Sequence, residues 1–302
     1  MGPTASGKTK LAIELVNTFP FEIISVDSAM VYQQMQIGTA MPDAEELKKA
    51  PHRLINFRDP KDAYSAAQFK QDALKEIEEI FSKNKIPLLV GGTMLYFRSL
   101  QQGLSDMPSA NPVIRQKLNE EGLQKGWPEL HQQLQQVDPA AAARIHPNDS
   151  QRIQRALEVY LTTGKNLTAW QREAGLQHDY SFINIVIAPE DRSILHARIA
   201  ERFKKMLTQG LIEEVKRLHD RGDLTLDTPA MRSVGYRQVW EYLEGKLTYE
   251  EMQEKGIIAT RQLAKRQLTW LRSWPDITWF NSEDPELLTK VIAYLTMSYG
   301  IK

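Results

Sequence analysis

The chain has 302 residues, 42% of them hydrophobic, and its 38 Lys and Arg balance 38 Asp and Glu. This is the composition of a globular protein with one large domain or two smaller ones, which excludes disordered and collagen-like chains. The absence of Cys excludes disulfides, thiolate metal sites and a Cys nucleophile. Because no run approaches 18 apolar residues and no signal peptide is recognisable, we expect a cytoplasmic protein without a membrane span.

A phosphate-binding motif (P-loop) stands at the start of the chain. Residues Gly2–Thr9 read G-x-x-x-x-G-K-[ST], and apolar residues at helical spacing predict a following helix through Thr18. In such a loop the backbone N–H groups surround phosphate oxygens, the Lys neutralises phosphate charge, and the Thr hydroxyl ligates Mg²⁺. The motif therefore predicts a di- or triphosphate with Mg²⁺, without specifying ATP. Since only Met1 precedes the loop, we expect that its supporting first strand is missing before residue 1.

Short buried strands alternate with helices after this loop. Residues 22–26 predict a strand that ends at Asp27, and residues 86–90 predict another that ends at a Gly-Gly pair. Between them, Ser65–Gln68 form a capping box that begins a helix. This alternation predicts an α/β fold, a P-loop NTPase-like parallel sheet flanked by helices.

Asp27 is the candidate catalytic carboxylate. It ends a predicted strand at the sheet edge where ligands bind in open α/β folds. Three roles are open for it: a Mg²⁺ ligand, a general base, or a cap for the turn that starts at Ser28. Asp59 follows a similar apolar stretch, and we expect it to have a structural role.

The pattern changes in the middle of the chain. Residues 103–175 contain several helical stretches separated by prolines, and no convincing strand. Strand patterning resumes at residues 182–188, several helices follow, and a last strand is predicted near residues 277–280. We therefore predict a P-loop core made of residues 1–102 and 176–302, with residues 103–175 as a helical insertion domain.

Basic residues are concentrated in four places, although the zero net charge of the whole chain argues against a nucleic-acid partner. Residues 256–275 contain four Arg and Lys and no acid, and residues 198–205 add three cations at helical spacing. Residues Gln151–Arg155 and Arg232–Arg237 combine Arg with Gln or an aromatic residue, which suits contacts to phosphates and base edges. Together the clusters predict an electropositive groove for a polyanion.

Seven stretches along the chain together resemble the bacterial tRNA dimethylallyltransferases, the IPP transferase family. They are GPTASGKT at 2–9, ISVDSAMVY at 24–32, HRLINFRDP at 52–60, LLVGGTMLY at 88–96, HPNDSQRIQRALEVY at 146–160, RSVGYRQVW at 232–240 and ATRQLAKRQLTWLR at 259–272. The resemblance implies that the P-loop binds dimethylallyl diphosphate with Mg²⁺. It also implies transfer of the dimethylallyl group to N6 of adenosine 37, beside the anticodon of tRNA, and we expect a monomer.

The resemblance implies roles for individual residues. Asp27 corresponds to the general base, Arg202 would hold the leaving diphosphate, and Thr9 would act near the metal. The diphosphate would be bound by Gly2, Thr4, Ala5, Ser6, Gly7, Lys8 and Thr9. The anticodon stem-loop of tRNA would be contacted by Asp27, Ser28, Ala29, Met30, Thr93, Arg115, Gln151, Arg152, Ile153, Gln154, Arg155, Arg232, Gly235, Tyr236, Arg237, Lys265, Arg266 and Arg272.

Three alternatives stay open at this point. The chain could be an ATP-dependent small-molecule kinase, because P-loops often serve phosphoryl transfer. It could be an isopentenyltransferase that acts on free adenine nucleotides, which would need neither the helical insertion nor residues 151–155. It could also be an RNA-binding nucleotide switch without transfer chemistry.

Overall fold

The computed structural model describes residues 1–103, 107–173 and 179–301. The chain divides into two compact units, Met1–Phe97 with Ser181–Lys302 (the α/β unit) and Arg98–Tyr180 (the helical unit). The domain boundary predicted between residues 175 and 176 lies outside the described residues. No helix within the described ranges is long and apolar enough to cross a bilayer.

The first hundred residues are built on three parallel strands. The elements, in chain order, are α1 (Lys8–Thr18), β1 (Phe21–Val26), α2 (Ala44–Lys49), β2 (His52–Arg53), α3 (Ala66–Ser82), β3 (Ile86–Gly91) and α4 (Met94–Gln101). β1 lies between β2 and β3, and its Ile24 stands opposite Leu89. The capping box at Ser65 and the strands predicted at residues 22–26 and 86–90 are confirmed.

The helical unit contains no strand within its described residues. Its helices after α4 are α5 (Pro112–Lys125), α6 (Trp127–Val137), α7 (Pro139–Ala142), α8 (Ser150–Thr163) and α9 (Leu167–Arg172). Their apolar faces meet in a core that includes Leu118, Leu130, Leu134, Ile153 and Leu157. Prolines occupy the first turns of α5, α6 and α7, where no intrahelical N–H is needed, so these prolines begin helices.

The chain returns to the α/β unit with a second pair of parallel strands. The elements are β4 (Asn184–Ala188), α10 (Arg192–Thr208), α11 (Leu211–His219), α12 (Tyr236–Leu243), α13 (Tyr249–Arg272), β5 (Ile277–Asn281) and α14 (Leu287–Tyr299). β4 pairs with β5, which confirms the strands predicted at residues 182–188 and 277–280. The Met1 nitrogen donates to Ile185 O at 2.7 Å, and the Met1 carbonyl accepts from Ile187 N at 3.1 Å. The predicted α/β fold with parallel strands is therefore confirmed.

An apolar cluster fixes the helix that follows the P-loop. Leu11 and Leu15 of α1 pack with Phe21 of β1, Ile187 of β4 and Val291 of α14. Full burial of an aliphatic or aromatic side chain of this size contributes about 1.5–3 kcal/mol. Because the cluster contains side chains from a strand of each sheet, it fixes α1 against both sheets.

Candidate active site

The P-loop makes a tight turn directly before α1. Gly7 has a φ of 86°, a left-handed conformation that Gly adopts without strain, and Ala5 is also left-handed, at 62°. Gly2 packs on β4, where a Cβ would lie 2.4 Å from Ile187 O. Both motif glycines are therefore needed for the loop geometry. Since α1 begins at Lys8, its unpaired N–H groups lie at this turn, as an anion-binding helix end requires.

Polar groups of the P-loop lack an anionic partner within the described residues. Ser6 Oγ is buried and makes no hydrogen bond with the described part of the chain. The ammonium group of Lys8 folds back and donates to Pro3 O at 2.7 Å, a neutral carbonyl. The loop is therefore suited to a bound anion, which would supply acceptors for these groups.

A cavity of about 630 Å³ opens at the carboxyl ends of β1 and β3. This is the edge at which ligands bind in open α/β sheets. The P-loop, the segments after β1 and β3, α10 and α13 all contribute to its lining. Among the lining residues are Thr4, Lys8, Thr9, Asp27, Ser28, Ala29, Met30, Gly92, Thr93, Arg202, Arg232, Gly235, Leu263, Arg266, Gln267 and Trp270. The structure thus brings together the predicted Lys8, Thr9, Asp27 and Arg202.

Asp27 caps the turn after β1 and keeps one carboxylate oxygen available. Its Oδ1 accepts from Ala29 N at 2.8 Å and from Met30 N at 3.2 Å. No donor within the described ranges reaches Oδ2. Ser28 N donates to Thr93 Oγ1 at 3.0 Å, which ties the same turn to the residues after β3. The cap therefore orients the carboxylate, and the capping role is compatible with a chemical one.

Two half-buried cations, Lys8 and Arg202, and the carboxylate of Asp27 dominate the electrostatics of the cavity. Burial lowers the pKa of Lys8 to about 8, the positive charge of Arg202 adds to this effect, and Asp27 opposes it. Burial likewise lowers the pKa of Arg202, and Asp27 again opposes the shift. Because buried positive charge needs compensation, this arrangement favours a bound anion.

The other predicted residues of the α/β unit occupy several environments. Arg232 lines the cavity and pairs with Asp227 at 3.2 Å. Gly235 precedes α12 with a φ of 94°, and Arg237 on the first turn pairs with Glu241 at 3.1 Å. These ion pairs are largely exposed, so both arginines can exchange their partner for a ligand at little energetic cost.

Tyr236 lies at the cavity with its side chain buried. Its side chain is 0% exposed and packs against Gly38, where no Cβ would fit. Its hydroxyl donates to Glu214 at 2.6 Å, and the same carboxylate accepts from the backbone N–H groups of residues 36–38. The tRNA contact of Tyr236 stays a prediction, and the hydrogen bond of its buried side chain to Glu214 helps to fix this loop.

α13 has two faces with different surroundings. Leu263, Arg266 and Trp270 line the main cavity. Lys265 and Arg272 instead line a second cavity of about 310 Å³. The predicted tRNA contacts of this helix therefore lie on two faces.

The predicted residues at the start of α8 also differ in environment. Ile153 is 0% exposed and its side chain packs in the core of the helical unit, while its tRNA contact stays a prediction. Gln151 and Arg152 are exposed, and Arg152 pairs with the Asp at the N-cap. Gln154 donates to Arg115 O at 3.1 Å. Of the five predicted residues at the start of α8, only Gln151 and Arg152 are thus exposed to solvent.

Arg115 and Arg155 converge on Glu158. The Glu158 carboxylate is 0% exposed and accepts from Arg115 Nε at 2.9 Å, Arg115 Nη2 at 3.1 Å and Arg155 Nη1 at 2.8 Å. Asn111 N adds a fourth hydrogen bond at 2.7 Å. Burial alone would raise the pKa of Glu158, but these hydrogen bonds outweigh it and lower the pKa. Both predicted tRNA-contacting arginines are therefore anchored inside their own unit.

Three polar residues that organise these sites were missed from the sequence. They are Glu158, Glu214 and Gln267, and each lies on a helix at a position that is not solvent-exposed. A polar residue on the inner face of an amphipathic helix is the signal that could have identified them. Asp59, by contrast, pairs with Arg221 at 2.8 Å, as expected of a structural residue.

Thr9 is the predicted metal ligand. Within the described residues, no three His, Asp or Glu side chains are grouped so that they could hold a metal ion. Mg²⁺ generally takes one or two protein oxygens and completes its shell with waters and substrate phosphates. Thr9 and Asp27 line the same cavity, so the residues present fit a Mg²⁺ ion that arrives with a bound phosphate group.

Known proteins are similar to the chain along its whole length. The family model described as IPP transferase matches residues 30–274. A tRNA dimethylallyltransferase of Coxiella burnetii is 59% identical over 296 residues, 98% of each chain. The crystal structure of the full-length tRNA isopentenylpyrophosphate transferase from Bacillus halodurans is 36% identical with a TM-score of 0.72, covering 99% of this chain and 94% of that one. A eukaryotic dimethylallyltransferase acting on tRNA is 26% identical with a TM-score of 0.79, covering 98% of this chain and 77% of that one.

Proposed function

The chain belongs to the IPP transferase family, and on this premise we propose that it transfers the dimethylallyl group of dimethylallyl diphosphate to N6 of adenosine 37 in tRNA. The observation that carries the proposal is the placement of Lys8, Arg202 and Asp27 around one cavity at the P-loop. Since the relatives are named as tRNA-modifying enzymes, the similarity does not favour a small-molecule kinase, a nucleotide switch or an enzyme for free adenine nucleotides.

In this proposal the P-loop and Arg202 bind the diphosphate of the donor. The loop from Gly2 to Thr9 surrounds the phosphate oxygens, while Lys8 and Arg202 offset their charge. As the bond between the allylic carbon C1 and the diphosphate oxygen breaks, negative charge develops on the leaving group, and the fixed cations stabilise it. Mg²⁺, held by Thr9 and the diphosphate, would supply Lewis-acid stabilisation of the same charge.

Asp27 accepts the proton of the attacking amine. The exocyclic amine of adenine is a weak nucleophile, because its lone pair is delocalised into the ring. Since Oδ1 of Asp27 is held by two backbone N–H groups, Oδ2 is the oxygen that takes the proton while the N6–C1 bond forms. A positioned base of this kind contributes about 10²–10⁴-fold to the rate.

We propose that both compact units contribute to binding of the anticodon stem-loop. In the helical unit, which overlaps the proposed insertion domain at residues 103–175, Gln151 and Arg152 are the exposed side chains among the predicted tRNA contacts. In the α/β unit, Arg232 and Arg266 line the cavity that would receive adenosine 37. Unstacked loop bases expose their edges to such side chains, and the target base must leave its stack to react.

We further propose that the chain works as a cytoplasmic monomer with Mg²⁺. Lys8, Asp27 and Arg202 all belong to the α/β unit of one chain, so a second copy is not needed to complete the reacting groups. We assign the chain to the cytoplasm because its proposed substrate is tRNA.

Label transfer tests the proposed reaction. With Mg²⁺ and anticodon stem-loop RNA, the chain is expected to incorporate label from radiolabelled dimethylallyl diphosphate and none from γ-labelled ATP. Asp27→Asn should reduce transfer by about 10²–10⁴-fold without weakening RNA binding, since it removes only the base. The exposed Asp62→Asn is the matched control and should retain transfer. Transfer from ATP alone, or preference for AMP over the stem-loop, would refute the proposal.

A further inference from the structure

Gln267 of α13 joins the P-loop to the turn after β3. Its Oε1 accepts from Thr4 N at 2.8 Å, and its Nε2 donates to Gly92 O at 2.9 Å. Both partners are backbone groups, and they belong to segments that are far apart in the chain. Thr4, Gly92 and Gln267 all line the active-site cavity. One side-chain amide thus joins the backbones of both segments.

At position 92 the two segments and the Gln267 amide lie close together, so a larger residue there would displace the amide. A Cβ on Gly92 would lie 2.4 Å from Gln267 Nε2 and 3.1 Å from Gly2 O. α13 is itself fixed, because its Ala264 and Leu268 are packed in a buried cluster with α10. The Gln267 amide is therefore presented by a rigid helix to two backbone groups at a fixed separation.

The P-loop and the turn after β3 are each connected to one of the proposed reacting groups, Lys8 and Asp27. Thr4 belongs to the same short loop as Lys8, so a displacement of Thr4 moves the loop that carries the ammonium group. On the other side, Gly92 is followed by Thr93, whose Oγ1 accepts from Ser28 N in the turn of Asp27. Gln267 therefore connects the segment that holds the cation with the segment that holds the carboxylate.

We propose that Gln267 is a positioning residue that fixes the P-loop, and with it Lys8, relative to the turn of Asp27. It acts through Thr4 and Gly92 and touches neither the donor nor the amine. A carboxylate at this position could accept from Thr4 N but could not donate to Gly92 O, and an apolar side chain could do neither. The inference rests on the proposed function only for the identity of the ligand, a diphosphate.

Gln267→Glu tests this role because its hydrogen bonding depends on pH. As the pH falls toward about 5, the introduced carboxyl group gains a proton, and its O–H can replace the lost donor to Gly92 O. The Met side chain is similar in length to Gln but has no titratable group, so Gln267→Met cannot regain the hydrogen bond to Gly92 O at low pH. Gln71→Glu on the exposed face of α3 is the matched control for the change of charge.

Affinity for inorganic pyrophosphate with Mg²⁺, measured by titration calorimetry relative to wild type at each pH, is the readout. We expect Gln267→Glu to bind about tenfold more weakly near pH 8 and to recover part of this loss near pH 5, whereas Gln267→Met is weakened equally at both pH values. Affinity for stem-loop RNA and the melting temperature should stay close to wild type in both variants.

Wild-type pyrophosphate affinity in Gln267→Glu at every pH would overturn the inference. So would a loss of RNA affinity and thermal stability as large as the loss of pyrophosphate affinity, since that pattern indicates a general folding defect. If wild type failed to transfer label but its pyrophosphate affinity still depended on Gln267 in this manner, the proposed function would fail and the positioning role would stand.

Discussion

The pKa of Lys8 depends on its burial and on the charges of two neighbouring side chains. Burial and the positive charge of Arg202 bring its pKa down to about 8, although Asp27 counteracts them. A diphosphate in the P-loop would place negative charge beside the ammonium group and raise the pKa again. Diphosphate binding above pH 8 is therefore coupled to proton uptake by Lys8.

We predict that the KM for dimethylallyl diphosphate rises as the pH increases above about 8. The protonated form of Lys8 binds the diphosphate, and each pH unit above its pKa reduces the population of that form up to about tenfold. Lys8→Arg should abolish the rise, because a guanidinium stays protonated in this range. Steady-state kinetics against pH measure the effect, and an equal rise in Lys8→Arg would contradict it.

At the scale of elements, α5 and α8 are joined by the buried carboxylate of Glu158 as well as by apolar contacts. We predict that Glu158→Gln destabilises the helical unit by about 1.5 kcal/mol, because hydrogen bonds to a charged group are lost while Arg115 and Arg155 stay partly solvated. Hydrogen exchange should accelerate in α5 and α8 and stay unchanged in β1 and β3. The exposed Glu120→Gln on α5 is the control, with an expected effect within about 0.5 kcal/mol.

The elements that carry the P-loop could be predicted because their signals are local. The glycine motif at residues 2–9 and the capping box at Ser65 each specify a short segment of backbone, and both are found as predicted. The partner of Arg115 could not be predicted, since Glu158 approaches from another helix 43 residues later. Tyr236 shows the same limit: a motif gives the residue type, whereas only packing decides whether its side chain faces a ligand or Glu214.

At the scale of the whole molecule, the zero net charge is an average over unlike regions. The stretch 256–275 carries four cations and no acid, and three of them, Arg261, Lys265 and Arg272, line a cavity on a separate face of α13. Attraction of RNA from a distance depends on the total charge, and this chain offers little of it. Selection of tRNA therefore has to depend on local contacts and on the shape of the anticodon loop.

The salt dependence of RNA binding tests whether the two compact units contribute separately. Arg152 and Lys265 are exposed cations in different units. If each contacts one phosphate, Arg152→Ala and Lys265→Ala should each lower the slope of log affinity against log salt by about one, and the double variant by the sum. Neither residue lines the P-loop cavity, so the KM for the donor should not change.

Binding of anticodon stem-loop RNA at several KCl concentrations gives these slopes. Lys49→Ala, which removes an exposed cation of α2 outside the four basic clusters, is the control and should keep the wild-type slope. A lower slope in Arg152→Ala together with a wild-type slope in Lys265→Ala would show that the second face of α13 does not contact RNA. In that case the contribution of α13 would come from Arg266, on the face that lines the active-site cavity.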